Sequence, residues 1–187
     1  TLGVLLACVV INVLVLMSVN PEVIARRLEG PKGAKRWDLL LASTVGVLTL
    51  LTLLLAGLDH RFGWSPRIGL PVRIAALALM VLGDLLFLWA MAVNKFFAKF
   101  VRIQREQGHQ VVTAGPYRYV RHPGYVGWIT MWTAPPLVLV SVWALIPTGL
   151  SIALIVVRTA LEDRTLKEEL PGYAQYAAEV RDRLLPG

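Results

Sequence analysis

The stretch LLLASTVGVLTLLTLLLAGL, residues 39–58, contains twenty residues and no charge. A helix of that length rises about 30 Å, the thickness of a bilayer's hydrocarbon core. The segment reads as a membrane span. Residues 2–19 form a second apolar run, broken only by Asn12 and Ser18, and residues 71–93 a third, with Arg73 near one end and Asp84 inside. Residues 124–161 are long enough for two crossings, read as 124–142 and 144–161, with Pro135, Pro136, Pro147 and Gly149 supplying kinks or a turn. The expectation is an all-α polytopic membrane bundle of five transmembrane helices. The last two form a helical hairpin, and a short C-terminal cytoplasmic helix follows, all within one membrane domain, 1–187.

Composition agrees. Of 187 residues 56% are hydrophobic and 17% charged, with mean hydropathy +0.62, which excludes a disordered chain and argues against a water-soluble domain. The net charge of +7 is explained by loop sidedness before any nucleic-acid partner is invoked. Five Lys and Arg fall in residues 20–38, three in 59–73, six in 94–124 and five from Arg158 onward. The positive-inside rule then places the first, third and fourth groups in the cytoplasm, with the N-terminus outside and the C-terminus inside. The first run lacks a basic leader and a cleavage pattern and is read as a retained helix. Cys8 is the single cysteine, so neither a disulfide framework nor a cysteine metal cluster is expected.

Two cytoplasmic segments, 94–123 and 162–187, flank the expected hairpin and so share one membrane face. The first contains HQVVTAGPYRYVRHPGYVG, residues 109–127, a turn-rich stretch whose backbone groups are free to grip a ligand. The other begins beside Arg158 and Glu162, which lie four apart and on one helical face. A pocket between them follows from the topology.

Three blocks in order, GPYRYVRHPGYVG at 115–127, Arg158 with Glu162 and Asp163, and LPGYAQY at 170–176, resemble the integral-membrane methyltransferases of the isoprenylcysteine carboxyl methyltransferase family, related to the phospholipid N-methyltransferases. The likeness covers roughly residues 70–187. It implies S-adenosylmethionine as cofactor, with S-adenosylhomocysteine as product, and a membrane-lipid or prenylated acceptor. By the same resemblance the cofactor falls to His109, Gln110, Val111, Val112, Tyr117, His122, Pro123, Gly124, Tyr125 and Glu162, and the acceptor to Arg158. Arg158 and Glu162 are the residues expected at the reaction itself, and no metal is implied. Two departures stand out: Leu170, Pro171 and Gly172 replace a Phe-Gly pair common in the family, and Asp163 stands where a second glutamate is usual.

Methyl transfer from a sulfonium is an in-line displacement, so alignment and exclusion of water outrank acid–base help. A carboxylate acceptor is already ionised near neutral pH, and Arg158 would orient it. An amine acceptor would need His109, His122 or Glu162 as base. A membrane reductase or a nonenzymatic bundle on the same architecture are the other readings.

Other polar residues have plainer readings. His122 with Pro123 suits a helix start, and Arg158 with Glu162 suits an i, i+4 ion pair beside a solvated face containing Arg164 and Glu168. Asp84 is either functional or bonded to a neighbouring helix near Asn12. Asn94 and Lys95 are placed at the pocket rim. Trp37, Trp64 and Trp143 read as interface anchors, and Arg26, Arg27, Lys32, Lys35 and Arg36 as contacts to anionic lipid.

Overall fold

The computed structural model describes residues 2–31 and 33–185. Lys32 therefore lies outside the described residues. Among the described residues, seven α-helices and two single 3-10 turns account for the regular structure: α1 (Leu2–Val19), α2 (Pro21–Leu28), α3 (Arg36–Phe62), α4 (Leu70–Val93), α5 (Pro123–Val138), α6 (Leu145–Glu169) and α7 (Tyr173–Glu179). No strand occurs among the described residues.

Among the described residues, three helices, α3, α4 and α6, are long and apolar enough to cross a membrane. The first apolar run bends by 120° into α2, and the bent pair makes at most a fourth crossing. The expected span 124–142 is shorter as a helix, since α5 stops at Val138 after 16 residues. That length rises only about 24 Å, short of the hydrocarbon thickness. Pro135 and Pro136 sit in its last turn and remove two N–H donors from the helical ladder. The chain then turns through residues 139–144, before Pro147 and Gly149. Asp59 at the end of α3 anchors this turn. Its carboxylate accepts from Ser65 N–H (2.7 Å), Ser65 Oγ (2.5 Å) and Ser141 Oγ (2.6 Å).

The consecutive helices α5 and α6 touch, but α5 packs chiefly on α4, and α6 on α3. At the first seam two glycines let the backbones touch: a Cβ on Gly127 would lie 2.6 Å from the Phe87 nitrogen and 2.7 Å from the Gly83 oxygen. Along the second, Thr52 and Thr148 hydroxyls meet at 3.3 Å. Outward-facing Leu40, Leu50, Leu82 and Leu150 remain exposed, as expected of surfaces facing acyl chains.

The bend after α1 is held from inside. Asn20 Nδ2 donates to the Met91 and Ala92 carbonyls (3.1 and 3.3 Å), which the end of α4 leaves without helical partners. Val23 of α2 packs among Leu16, Leu88 and Met91. The Asp84 question also closes here, since Asn12 Nδ2 donates to its carboxylate at 2.8 Å across the α1–α4 contact.

Candidate functional site

At the end of the bundle opposite the Asp59 turn, a cavity of about 370 Å³ lies between the loop before α5, the end of α6, α7 and the bend of α2. Its volume falls within the range of small-molecule sites. His109, Gln110, Val111, Val112, Tyr117, His122, Gly124, Tyr125, Arg158 and Glu162 all line it. Pro123 alone of the expected set does not, being buried at the first helical position of α5. Asn94 is on the lining, as expected of a rim residue, while Lys95 is not.

The stretch from His109 to Val112 runs along the lining without regular secondary structure. Among the described residues, Gln110, Val111 and Val112 make no backbone hydrogen bond, so their N–H and C=O groups are open. His109 Nδ1 accepts from the Gln104 N–H at 3.3 Å, which leaves the ring proton on Nε2. Burial, reinforced by the charge of Arg26, lowers the His109 pKa to about 4. The imidazole is therefore neutral at physiological pH. Tyr117 is held by Asn94 Nδ2 on its hydroxyl (3.0 Å) and by the Tyr176 hydroxyl on its carbonyl (2.7 Å), and burial pushes its phenol up.

Arg158 and Glu162 do not pair with each other, contrary to the plain i, i+4 reading. Glu162 accepts from the Tyr125 hydroxyl at 2.5 Å. Arg158 donates from Nε and Nη2 to Asp38 (2.6 and 3.2 Å) and from Nη2 to the Lys99 carbonyl (2.8 Å), with its guanidinium 5.4 Å from the Tyr125 ring centre. Asp38 is fully buried and also accepts from Val101 N–H at 2.7 Å.

Asp163, one residue on, faces away from the cavity lining and ties the wall together. It accepts from Arg121 Nε (2.7 Å) and Nη2 (3.2 Å), from the Tyr173 hydroxyl (3.0 Å) and from Lys167 (2.9 Å), with His122 Nε2 at 3.4 Å. Arg121 Nη1 also donates to the Val180 and Arg181 carbonyls (2.6 and 2.7 Å). The backbone N–H groups of Arg121 and His122 bond Asp182 and Arg183 at 2.9 and 3.0 Å, strapping the C-terminal segment across the start of α5. His122 occupies the N-cap position, but its side chain does not cap the helix. Arg164 pairs with Glu168 on an exposed face, as its spacing suggests.

Sequence reasoning missed Asp38, the buried pair Arg121 and Asp163, and Arg27. The basic loop was assigned to lipid, yet Arg26 bonds Gln104 (2.9 Å) and Glu22 (2.9 Å), Lys35 pairs with Glu169 (2.5 Å), and Arg27 lines the cavity. A signal existed in Asp38, an acid in the first turn of a span, just after the basic Lys35 and Arg36.

The sequence profile of the isoprenylcysteine carboxyl methyltransferase family matches residues 76–168, about half of the chain, spanning α4 to the end of α6. Through this segment the chain belongs to that family. It is 35% identical over 54 residues to protein-S-isoprenylcysteine O-methyltransferase B of Arabidopsis thaliana, covering 28% of this chain and 27% of the relative. It is 32% identical over 59 residues to a probable protein-S-isoprenylcysteine O-methyltransferase of Oryza sativa subsp. indica, covering 31% of each. The chain thus spans less than a third of the length of these curated relatives. The family segment contains His109 to Glu162 but not Arg27, Asp38 or the C-terminal strap.

Proposed function

We propose that this protein is an integral membrane methyltransferase that moves a methyl group from S-adenosylmethionine to the carboxylate of a lipophilic, isoprenylcysteine-like acceptor. One observation carries the reading: Glu162, the open backbone of 110–112 and Arg158 face a single cavity at a helix end. The cavity's groups fit the cofactor's chemistry. Glu162 suits an ammonium, unpaired N–H groups and the His109 Nε2–H suit a carboxylate, and the Tyr117 and Tyr125 rings suit an adenine or a sulfonium. When bound, S-adenosylmethionine supplies an electrophilic methyl carbon next to a positive sulfur.

The chain's own residues then have simple tasks. Tyr125 fixes the Glu162 carboxylate, which keeps one oxygen for the cofactor's ammonium. His109, held neutral, donates and does not carry charge toward a sulfonium. Arg158 sets a positive field beside the acceptor's carboxylate, and α7 with the strap excludes water from behind.

The His109 geometry favours a carboxylate over an amine acceptor. With its Nδ1 engaged and its pKa near 4, this imidazole is a poor base, and His122 is enclosed by Asp163 and Tyr173. In the same reading α1 and α5 complete a five-crossing bundle with the cavity on the cytoplasmic face, where a polar cofactor arrives from water and the acceptor from the bilayer.

The test is calorimetric titration of purified protein in detergent with S-adenosylhomocysteine, followed by methyl transfer to an isoprenylated N-acetylcysteine. Saturable binding and an alkali-labile methyl product are expected. Intact helicity without binding would sink the assignment, and an alkali-stable product would redirect it to amine methylation.

A further inference from the structure

Five cationic side chains line the cavity: Arg27, Lys99, Arg102, Arg121 and Arg158. Three are committed elsewhere. Arg121 is bound by Asp163, Arg158 by Asp38 and the Lys99 carbonyl, and Arg102 by Glu29. Lys99 is exposed and lies 5.3 Å from the Phe100 ring centre. Arg27 differs from all of them. Its guanidinium is laid against two rings, 5.5 Å from the centre of Phe87 and 5.6 Å from that of Phe97, and no hydrogen bond or ion pair engages it among the described residues.

A partly buried guanidinium has five donors to satisfy, and aromatic faces satisfy none of them. Its position is nevertheless fixed. Phe87 and Phe97 meet edge to face at 5.6 Å, and Val23, one helical turn before Arg27 on α2, is fully buried. Arg158 and Tyr125 lie near enough to act on Arg27 electrostatically. Two guanidinium groups thus share one space, and only one has a carboxylate partner.

We propose that Arg27 binds the carboxylate of the lipophilic acceptor, with the Phe87 and Phe97 rings holding the guanidinium in place and the paired Arg158 contributing field but not its fork. The identity of the acceptor rests on the methyltransferase reading; the anion site itself rests on Arg27. Asp38 gives the arrangement its logic, because by occupying the Arg158 fork it leaves Arg27 as the available bidentate donor. The placement also suits a bilayer-borne substrate. Arg27 is delivered by α2, the short helix that turns away from the apolar α1 run by 120°, so an acyl or prenyl chain beside α1 would bring its polar end to it.

The test measures binding without turnover. Wild type and R27Q, full-length in detergent, are titrated with an isoprenylated N-acetylcysteine and with its carboxamide, and separately with S-adenosylhomocysteine. Wild type is expected to prefer the carboxylate by tenfold or more, in line with a charged hydrogen-bonded pair. R27Q should lose that preference, R27K should recover part of it, and S-adenosylhomocysteine affinity should stay within twofold in both. Equal carboxylate preference in wild type and R27Q would overturn the proposal, as would wild type showing no preference. A parallel loss of S-adenosylhomocysteine affinity would also overturn it, by assigning Arg27 to the cofactor. Carboxylate preference without any methyl transfer would instead leave the anion site standing and remove the enzymatic reading.

Discussion

The cavity has two walls that solve the problem of buried charge in opposite ways. On the side of α7 and the C-terminal strap, Arg121, Asp163, His122 and Tyr173 bond one another, and the Arg121 guanidinium reaches two backbone carbonyls besides. Burial and the neighbouring Asp163 push the Tyr173 phenol up, so its hydroxyl remains a donor. Elsewhere on the lining, Arg27 rests on two phenyl rings and residues 110–112 leave their backbone unpaired. A saturated network holds shape, because each member fixes its neighbours and a missing partner is costly. Unsatisfied groups at fixed positions hold instead a demand that a ligand can meet. The saturated wall should therefore answer to mutation in stability, and the open wall in binding.

The sharpest way to break this division is Asp163→Ala. It leaves Arg121 buried without its carboxylate, and removal of one partner from a buried ion pair costs about 3–5 kcal/mol. Denaturant titration in detergent should show a loss of that order. A loss under 1 kcal/mol would mean that the two backbone carbonyls suffice and that the wall is less cooperative than its bonds suggest.

Glu162 sits next in sequence to Asp163 but belongs to the other class. Glu162→Gln keeps an oxygen for the Tyr125 hydroxyl and removes only the charge offered to the cavity. S-adenosylhomocysteine affinity should fall about tenfold to a hundredfold, the range of charged hydrogen bonds at about 1.5–3 kcal/mol, with unfolding unchanged. A fall in stability without one in affinity would place Glu162 on the structural side.

The adjacent acids show how far sequence could reach. Spans at 39–58 and 71–93 were legible because hydropathy is a local property that length alone converts into a helix. Nearly all the expected cavity residues were legible as a set, since the loop before α5 and the end of α6 carry the resemblance. The partner of each was not legible. Asp38 and Arg158 are 120 positions apart and Arg121 and Asp163 are 42 apart, and the i, i+4 rule that fits Arg158 to Glu162 was overridden by these distant acids and by Tyr125. The short α5 escaped for a related reason. Its apolar run continues past Val138, and what ends the helix is paired prolines together with a turn anchored on Asp59, from a different helix. The basic loop failed because positive charge at an interface has two uses, lipid contact and cavity lining, with one composition.

Gly124 tests the bed beneath Arg27. It was assigned to the cofactor, yet a Cβ there would stand 2.6 and 2.7 Å from carbons of the Phe97 ring. In Gly124→Ala the ring must tilt, which a phenyl side chain does without unfolding its surroundings. Acceptor affinity should drop about threefold to tenfold, of order 1 kcal/mol, while S-adenosylhomocysteine affinity stays level. Equal losses for both ligands would join the two halves of the cavity into one site.

His109 gives the smallest effect and sits on the boundary between the walls, being a member of the open stretch with a saturated Nδ1. An unfolded histidine titrates near 6.5, whereas this one titrates at about 4. Between those values the unfolded chain takes up a proton that the folded protein refuses, so this residue's contribution to stability is full above about pH 6.5 and declines as the pH falls toward 4. His109→Gln removes the titrating group, and the difference in unfolding free energy between wild type and variant should be flat above pH 7 and narrow steadily below about 6.5. The narrowing isolates this residue from the acids that titrate in the same interval, because both proteins share them. A difference that stays constant down to pH 4.5 would mean that the folded imidazole accepts its proton as readily as the unfolded one. His109 would then take up a proton just below neutral pH, and the open wall would have lost the fixed neutral donor on which the cofactor assignment at this residue depends.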